Sequence, residues 1–291
     1  MRLRFASWNI NYRLLKPGHL DLIQEIDADV LALQEVNVKF HEALENKKLY
    51  SCSDCSLRIN PAPPNATNDY WRGCSLFART SFFFSEARTL DSTKFPEQTL
   101  IAEIDVAGVP LTVCSFHTPP GKRRKSRLAG DRPGREKVEF LQSIAKWLVS
   151  REALTVFGID ANTPETEDLG ADNVWHSNFW RVGESALLGE PPDRIHKLDD
   201  TYRTYVKANP LRLGEPLGAS YKRGTQFCRY DFIYATPDLG IQNVKYCYDA
   251  VKGLSDHGIV VADLELPGLA GEGAQNRGST VDNSDACDCK S

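Results

Sequence analysis

Short apolar runs, separated by polar stretches rich in Gly and Pro, set the pattern of this chain. Residues 3–10 read as a strand that closes on Trp8-Asn9-Ile10-Asn11. Residues 18–26 place Leu20, Ile23 and Ile26 at helical spacing. Residues 29–34 form a second apolar run, and Glu35 follows directly. Strand, helix and strand in that order predict a βα unit feeding a buried sheet. Residues 50–70, with Pro61, Pro63 and Pro64, predict a long loop. Strands are expected at 73–79, 82–88, 98–106 and 111–117, the last two joined as a hairpin through Ala107-Gly108-Val109-Pro110. Residues 135–150 carry Val138, Leu141, Ile144, Ala145 and Leu148 at helical spacing. The run Leu154-Thr155-Val156-Phe157-Gly158-Ile159 is another buried strand, and Pro164 keeps it from running on in a sheet interior. A helix is expected around 174–188 and a strand or ordered loop at 200–205. Loop is expected at 207–218, and strands at 228–234, 243–248 and 258–266.

These runs share one peculiarity: they end on polar groups. Asn9, Glu35, His117, Asp160, Asn162, Asp231, Asp256 and His257 all stand at strand ends. One such residue is turn chemistry. Eight of them on six strands predict a sheet-based fold that gathers strand ends into one cleft. Asp231 lies in an apolar, aromatic run, where an unpaired charge is costly, so it needs a partner.

Carboxylates and amides suit a hard cation such as Mg²⁺, with Mn²⁺ as the alternative, and Glu35 and Asn9 are candidate ligands. Pairs of His257 with Asp231, and of His117 with Glu35 or another acid, would fix histidine tautomers and raise their basicity. Asp160 could align or deprotonate a water, and Asn162 could donate to developing charge on a phosphate. The set therefore predicts metal-assisted phosphoryl transfer. Rival chemistries lack their motifs. There is no Gly-x-Ser-x-Gly elbow, no Walker loop and no His-Glu-x-x-His. Ser255-Asp256-His257 holds the letters of a triad, but neighbours in sequence cannot form its relay.

Composition adds limits. With 291 residues, 41% of them hydrophobic, the chain can bury a sizeable core. A net charge of −4 and a pI near 5.9 exclude a global basic field, so any anion-binding surface is local. The stretch 121–135 holds seven Lys or Arg against one Asp and predicts an anion-gripping loop. Arg123, Arg124, Lys125 and Arg135 are its candidate substrate contacts, with Arg229 beside Asp231 as another. The first residues read as a strand and not a signal peptide, and no apolar run approaches membrane-spanning length, so a cytoplasmic protein is expected. The eight cysteines then read as reduced thiols. Cys52-Ser-Asp-Cys55 is the one metal-like spacing, and Cys287 and Cys289 lie in the far tail. The expected organisation is one catalytic domain over 1–267 and a disordered polar tail over 268–291.

Taken together, six motifs resemble the endonuclease/exonuclease/phosphatase superfamily. They are Trp8-Asn9-Ile10-Asn11, Leu33-Gln34-Glu35, Ser115-Phe116-His117, Gly158-Ile159-Asp160-Ala161-Asn162, Arg229-Tyr230-Asp231-Phe232-Ile233 and Ser255-Asp256-His257. The superfamily includes abasic-site endonucleases, pancreatic-type deoxyribonucleases, sphingomyelinases and inositol-polyphosphate 5-phosphatases. The resemblance implies an α/β fold, a four-layer α/β sandwich of two packed mixed β-sheets flanked by helices. It implies a Mg²⁺-dependent phosphodiesterase or phosphomonoesterase, with Glu35 and Asn9 on the metal and Asp256 joining them. It gives Asp160 and Asn162 water and phosphate, and pairs Asp231 with His257 at the scissile phosphate. His117 departs from the tyrosine usual in abasic-site endonucleases. Phe227-Cys228-Arg229-Tyr230-Asp231 does not reproduce the Trp-Cys-Asp-Arg of the 5-phosphatases.

The leading expectation is a nuclease that takes DNA in preference to RNA through the basic loop 122–135. Trp71, Trp175, Trp180 and Tyr221 are candidate base-stacking groups. The alternative is a phosphatase or phosphodiesterase of a small-molecule, inositol or lipid phosphate. A third reading, a non-catalytic nucleic-acid-binding module, conflicts with the intact polar set.

Overall fold

A computed structural model describes residues 1–61, 71–79, 84–85, 87–119, 133–170, 174–210 and 216–268. Two mixed sheets face each other. The first has six strands in the order β14 (Gly240–Cys247), β15 (Ile259–Glu265), β1 (Arg2–Asn9), β2 (Val30–Val36), β4 (Gly73–Ala78) and β3 (Cys52–Cys55). Only the β1–β2 pairing in it is parallel. The second has five, in the order β10 (Asp199–Asp200), β13 (Asp231–Ala235), β7 (Leu154–Asp160), β6 (Val109–His117) and β5 (Thr99–Val106). Here β6–β7 is the parallel pair. Two ribbons stand apart: β8 (Thr166–Leu169) with β9 (Trp175–Asn178), and β11 (Tyr221–Arg223) with β12 (Gln226–Cys228).

Period-two alternation sorts the strands' side chains. Leu3 and Phe5 of β1, Val30 and Ala32 of β2, Leu111 and Val113 of β6 and Val156 of β7 share the core between the sheets. The alternate residues point outward. Ala6 and Trp8 pack with Leu22, Ile23 and Ile26 of α1 (Pro17–Ile26) and Phe40 and Leu44 of α2 (Val38–Glu45). Phe116, Phe157 and Phe232 pack with Phe140, Leu141, Ile144 and Leu148 of α4 (Pro133–Val149), and with Leu187 and Leu188 of α5 (Ser185–Leu188). Helix, sheet, sheet, helix is the expected four-layer sandwich. Each fully buried Leu or Phe stabilises it by about 1.5–3 kcal/mol.

The sheets approach each other closely at Gly158. A Cβ there would lie 2.3 Å from Ser7 Oγ and 2.6 Å from its Cβ. Beside that approach, Gln34 Nε2 of the first sheet donates to Ser7 Oγ at 3.1 Å and to Ser115 Oγ of the second at 3.0 Å. The expected hairpin forms between β5 and β6, turning at Ala107 and Gly108, both at positive φ.

Several elements differ from expectation. The proposed loop 50–70 contains β3 and a short helix, α3 (Ser56–Ile59). Of the strand expected at 82–88, Phe84 and Arg88 bridge to Ile104 and Ile101 of β5, and residues 82, 83 and 86 lie outside the described set. The helix expected at 174–188 is instead β9 followed by α5, with Gly183 at φ 97 between them. Residues 200–205 open a helix, α6 (Thr201–Ala208), because the Asp200 carboxylate accepts from the Tyr202 and Arg203 amides as its N-cap. Cys287, Cys289 and residues 269–291 of the proposed tail lie outside the described residues. No helix among the described residues is long and apolar enough to cross a membrane.

Candidate active site

The inward-facing row of each central strand ends on a polar residue, and the ends meet. In β1 the row is Leu3, Phe5, Ser7, Asn9. In β6 it is Leu111, Val113, Ser115, His117, and in β7 it is Val156, Gly158, Asp160. In β13, antiparallel to β7, it begins at Asp231. Register places Asp160 between His117 and Asp231. Across the sheets, Asn9 Nδ2 donates to Asp160 Oδ2 at 2.6 Å.

Glu35 reaches this cluster by another route. Alternation sends Gln34 inward, which should send Glu35 toward the helices. At Glu35 the backbone takes φ 53, and the β2–β4 register shifts between Leu33 and Val36. The left-handed bulge turns Glu35 to the strand ends, at a strain of about 1–2 kcal/mol. There Oε1 lies 3.3 Å from His117 Nε2, and Oε2 holds the Arg72 guanidinium. Burial alone would raise the Glu35 carboxyl, but His117, Arg72 and His257 hold it at about 2, so it is ionised.

Asp160 is fully buried. Burial pushes its carboxyl up, Asp231 and Glu35 add to this, and His257 and His117 oppose it. Its Oδ1 accepts from the Asn162 main-chain N–H at 3.0 Å and its Oδ2 from Asn162 Nδ2 at 3.2 Å. Asn162 sits at φ 51. A buried ammonium holds that turn: Lys137 Nζ donates to the Asn162 carbonyl at 3.1 Å and lies 3.0 Å from Glu184 Oε1. Thr163 Oγ1 donates to Glu184 Oε2 at 2.7 Å.

His257 Nδ1 lies 2.7 Å from Asp231 Oδ2. Burial alone pushes the His257 imidazole down, but Asp231 and Asp160 raise it to about 10. The ring is therefore an imidazolium at neutral pH. The His257 main-chain carbonyl accepts from Trp8 Nε1 at 3.0 Å, and Ser220 Oγ accepts from the Asp231 N–H at 3.0 Å.

Glu35, His117 and Asp160 present ligand atoms within 4.8 Å of one another, as do Asp160, Asp231 and His257. His117 Nδ1 and Asp231 Oδ1 are buried without a hydrogen-bond partner among the described residues. Such atoms cost about 1–3 kcal/mol each when left unsatisfied, and Asp231 Oδ1, beside Asp160 and His257, can take a further partner. An ionised carboxylate with amide oxygens and further carboxylates fits a hard divalent cation.

The structure thus brings together Asn9, Glu35, His117, Asp160, Asn162, Asp231 and His257. Asp256 is exposed and belongs to neither ligand group. Arg229 differs from expectation. It is buried, its Nη1 bonded to Asp200 at 2.8 Å and its Nε and Nη2 to Glu167 at 2.7 and 2.6 Å. No face of that guanidinium is left for substrate. Trp175 is likewise buried, with the Arg203 and Arg229 guanidinium groups against its ring, and cannot stack on a base. Arg135 is exposed and bonds Glu139 at 2.7 Å. Arg123, Arg124 and Lys125 lie outside the described residues.

Two site residues were not anticipated. Lys137 had a signal: it shares helical spacing with Leu141, Ile144 and Leu148, which puts a lysine on the buried face. Arg72 had none, since only the fold brings it to Glu35.

The family model for the Endonuclease/Exonuclease/phosphatase family matches residues 6–257. No curated protein matches the chain in sequence. Among solved structures, Danio rerio TDP2 complexed with a single-strand DNA product superposes with a TM-score of 0.60 at 16% identity, over 91% of this chain and 99% of that one. An endonuclease/exonuclease/phosphatase from Bacteroides vulgatus gives 0.58 at 16%, over 92% and 100%. The catalytic domain of human Nocturnin with bound sulfate gives 0.57 at 16%, over 91% and 94%. These likenesses agree in fold with the two-sheet sandwich. With the family match spanning nearly the whole sandwich and the cluster at its strand ends, this chain belongs to the endonuclease/exonuclease/phosphatase family and is a hydrolase of phosphoester bonds.

Proposed function

We propose that the protein is a Mg²⁺-dependent nuclease that hydrolyses phosphodiester bonds in DNA by attack of water. The observation that carries the reading is the opposed state of two neighbours. Asp160 is a buried carboxylate pushed toward accepting a proton, and His257 is a buried imidazolium that can donate one. Pairs pushed apart in this way mark acid and base roles. A divalent cation held by Glu35 and Asn9, Mg²⁺ or Mn²⁺, would supply charge to polarise the phosphate and stabilise the leaving oxygen.

The chain's own residues supply the rest. Asp160, fixed by Asn9 and by both nitrogens of Asn162, orients the attacking water and takes its proton. Asn162 Nδ2 turns from Asp160 to an equatorial phosphate oxygen as charge builds there. His257, held by Asp231, donates to a second phosphate oxygen. His117 braces Glu35. The basic stretch 122–135 supplies positive charge for the phosphate backbone. The single-strand DNA product in the similar TDP2 structure favours nucleic acid over a small phosphoester as substrate.

Metal-stripped protein, returned to Mg²⁺ or kept in EDTA, tests this on single- and double-stranded DNA, RNA and bis(p-nitrophenyl) phosphate. DNA turnover should require Mg²⁺, and Asp160→Asn should lower it roughly 10²–10⁴-fold. Unchanged turnover in Asp160→Asn would remove the assignment. Hydrolysis of the small phosphodiester without cleavage of any nucleic acid would remove the nuclease reading.

A further inference from the structure

Beside His257 the β11–β12 ribbon projects from the sandwich, and its two faces differ. Tyr221 stacks on Tyr230 with ring centroids 5.1 Å apart and planes at 15°, and meets the His257 ring at 4.8 Å. Tyr221 also bridges to His257 through its backbone. Two residues on, and so on the same face of the strand, is Arg223. The Arg223 guanidinium lies over the Trp180 ring, 4.8 Å from the centroid, and its Nη2 donates to Gln226 Oε1 at 3.5 Å. Arg223 is exposed and Trp180 is 41% exposed. On the opposite face, Lys222 covers Phe227 at 5.3 Å, and Phe227 meets the edge of Tyr248.

Tyr221 and Arg223 thus share one face of the ribbon, Tyr221 against His257 and Arg223 against Trp180. That face starts at the reaction centre and ends in solvent. Arg223 stands roughly 7 Å beyond Tyr221 along the strand, further than a single phosphoryl group spans. A ligand that touches both His257 and Trp180 must be a chain. An exposed ring in contact with an exposed guanidinium matches the alternation of base and phosphate in a single strand. A ring and a cation at this spacing offer nothing specific to an acyl chain or to a compact inositol phosphate.

We propose that Trp180 and Arg223 form a nucleotide subsite flanking the reaction centre: a base stacks on the Trp180 ring, and its neighbouring phosphate binds Arg223. The proposal rests on the nuclease reading and adds where the strand runs. Neither residue touches the reacting phosphate. They hold the strand beside the reaction centre.

The test measures binding and turnover separately on the full chain. Binding of a short fluorescein-labelled single-stranded oligonucleotide is followed by anisotropy in EDTA, and turnover of bis(p-nitrophenyl) phosphate is followed with Mg²⁺. Trp180→Ala should weaken oligonucleotide binding roughly tenfold to a hundredfold. Arg223→Ser should also weaken it and reduce the slope of log affinity against log salt by about 0.7. Both should leave the small phosphodiester's turnover unchanged, Trp180→Phe should restore binding, and Phe227→Ala on the opposite face should change neither readout. Unaltered oligonucleotide binding in Trp180→Ala and Arg223→Ser would overturn the subsite while the nuclease reading stands. Equal losses on both substrates, or an equal loss in Phe227→Ala, would also overturn it, because the effect would then be structural. A wild-type chain that hydrolyses the small phosphodiester but neither binds nor cleaves the oligonucleotide would overturn both the subsite and the nuclease reading.

Discussion

Replacing Asp231 by Asn keeps the shape of the site and removes the charge that holds His257. In the native protein, the rise of the imidazole from 6.5 to about 10 corresponds to about 5 kcal/mol. That agrees with the roughly 3–5 kcal/mol lost when one partner of a buried ion pair is deleted. The sign follows from the direction of the rise. The folded state keeps the proton to higher pH than the unfolded chain. The stabilisation is therefore complete below pH 6.5 and is lost as pH climbs through about 10. In Asp231→Asn, burial, the largest influence on this ring, is less opposed. His257 should then be neutral near pH 7. Urea titrations across pH 6 to 10 in EDTA would show wild-type stability falling by about 1.4 kcal/mol per pH unit from this group. The variant would show a flatter profile and a loss of about 3–5 kcal/mol at the acidic end. Imidazole proton shifts in NMR would report the charge directly. If both proteins gave the same pH profile, or if His257 stayed protonated at neutral pH in the variant, the pairing would not be what charges the ring.

Lys137→Met removes the ammonium beneath Asn162 and strands Glu184, so it should cost about 3–5 kcal/mol in urea melts and lower kcat more than KM. Lys137→Arg should restore part of kcat, and a normal kcat in Lys137→Met would show that the Asn162 turn holds itself. Gly158→Ala drives a methyl into Ser7 and should cost about 1–3 kcal/mol, with recovery in the Ser7→Gly/Gly158→Ala double variant; an additive loss in the pair would place the clash elsewhere. Arg72→Gln frees Glu35 from its largely buried ion pair and should tighten Mg²⁺ binding a few-fold in calorimetry. Weaker binding would mean that Arg72 supports the cation site and does not compete for it.

Much of this architecture was legible because two local rules agree in the central strands. Period-two alternation and abrupt polar ends together fixed β1, β6 and β7, their buried faces and the residues at their tips. The rules fail where a single backbone torsion or a long-range partner decides. Alternation alone sends Glu35 away from the site, and only its left-handed bulge returns it. The Thr and Tyr alternation after Asp200 resembled a strand, yet one carboxylate capping two amides is enough to start α6. Arg229 appeared as a basic residue beside a catalytic Asp, and nothing nearby in sequence announced Glu167 and Asp200 as its partners. Lys137 was readable in principle, since a charge on a helix's apolar stripe implies a buried counter-charge.

The bond from Asn9 to Asp160 joins one sheet to the other at the point where the chemistry is proposed to happen. Neither half of the sandwich owns the reaction centre. A small slide of one sheet over the other would break that bond before it disturbed any ladder within a sheet. Catalytic rate therefore serves as a gauge of alignment between the two halves. Substitutions deep in the shared core that leave the melting temperature intact, but shift the sheets by a fraction of an ångström, would surface first as lost turnover. The polar contact of Gln34 with Ser7 and Ser115, further down the same seam, acts as a dowel that keeps the gauge zeroed.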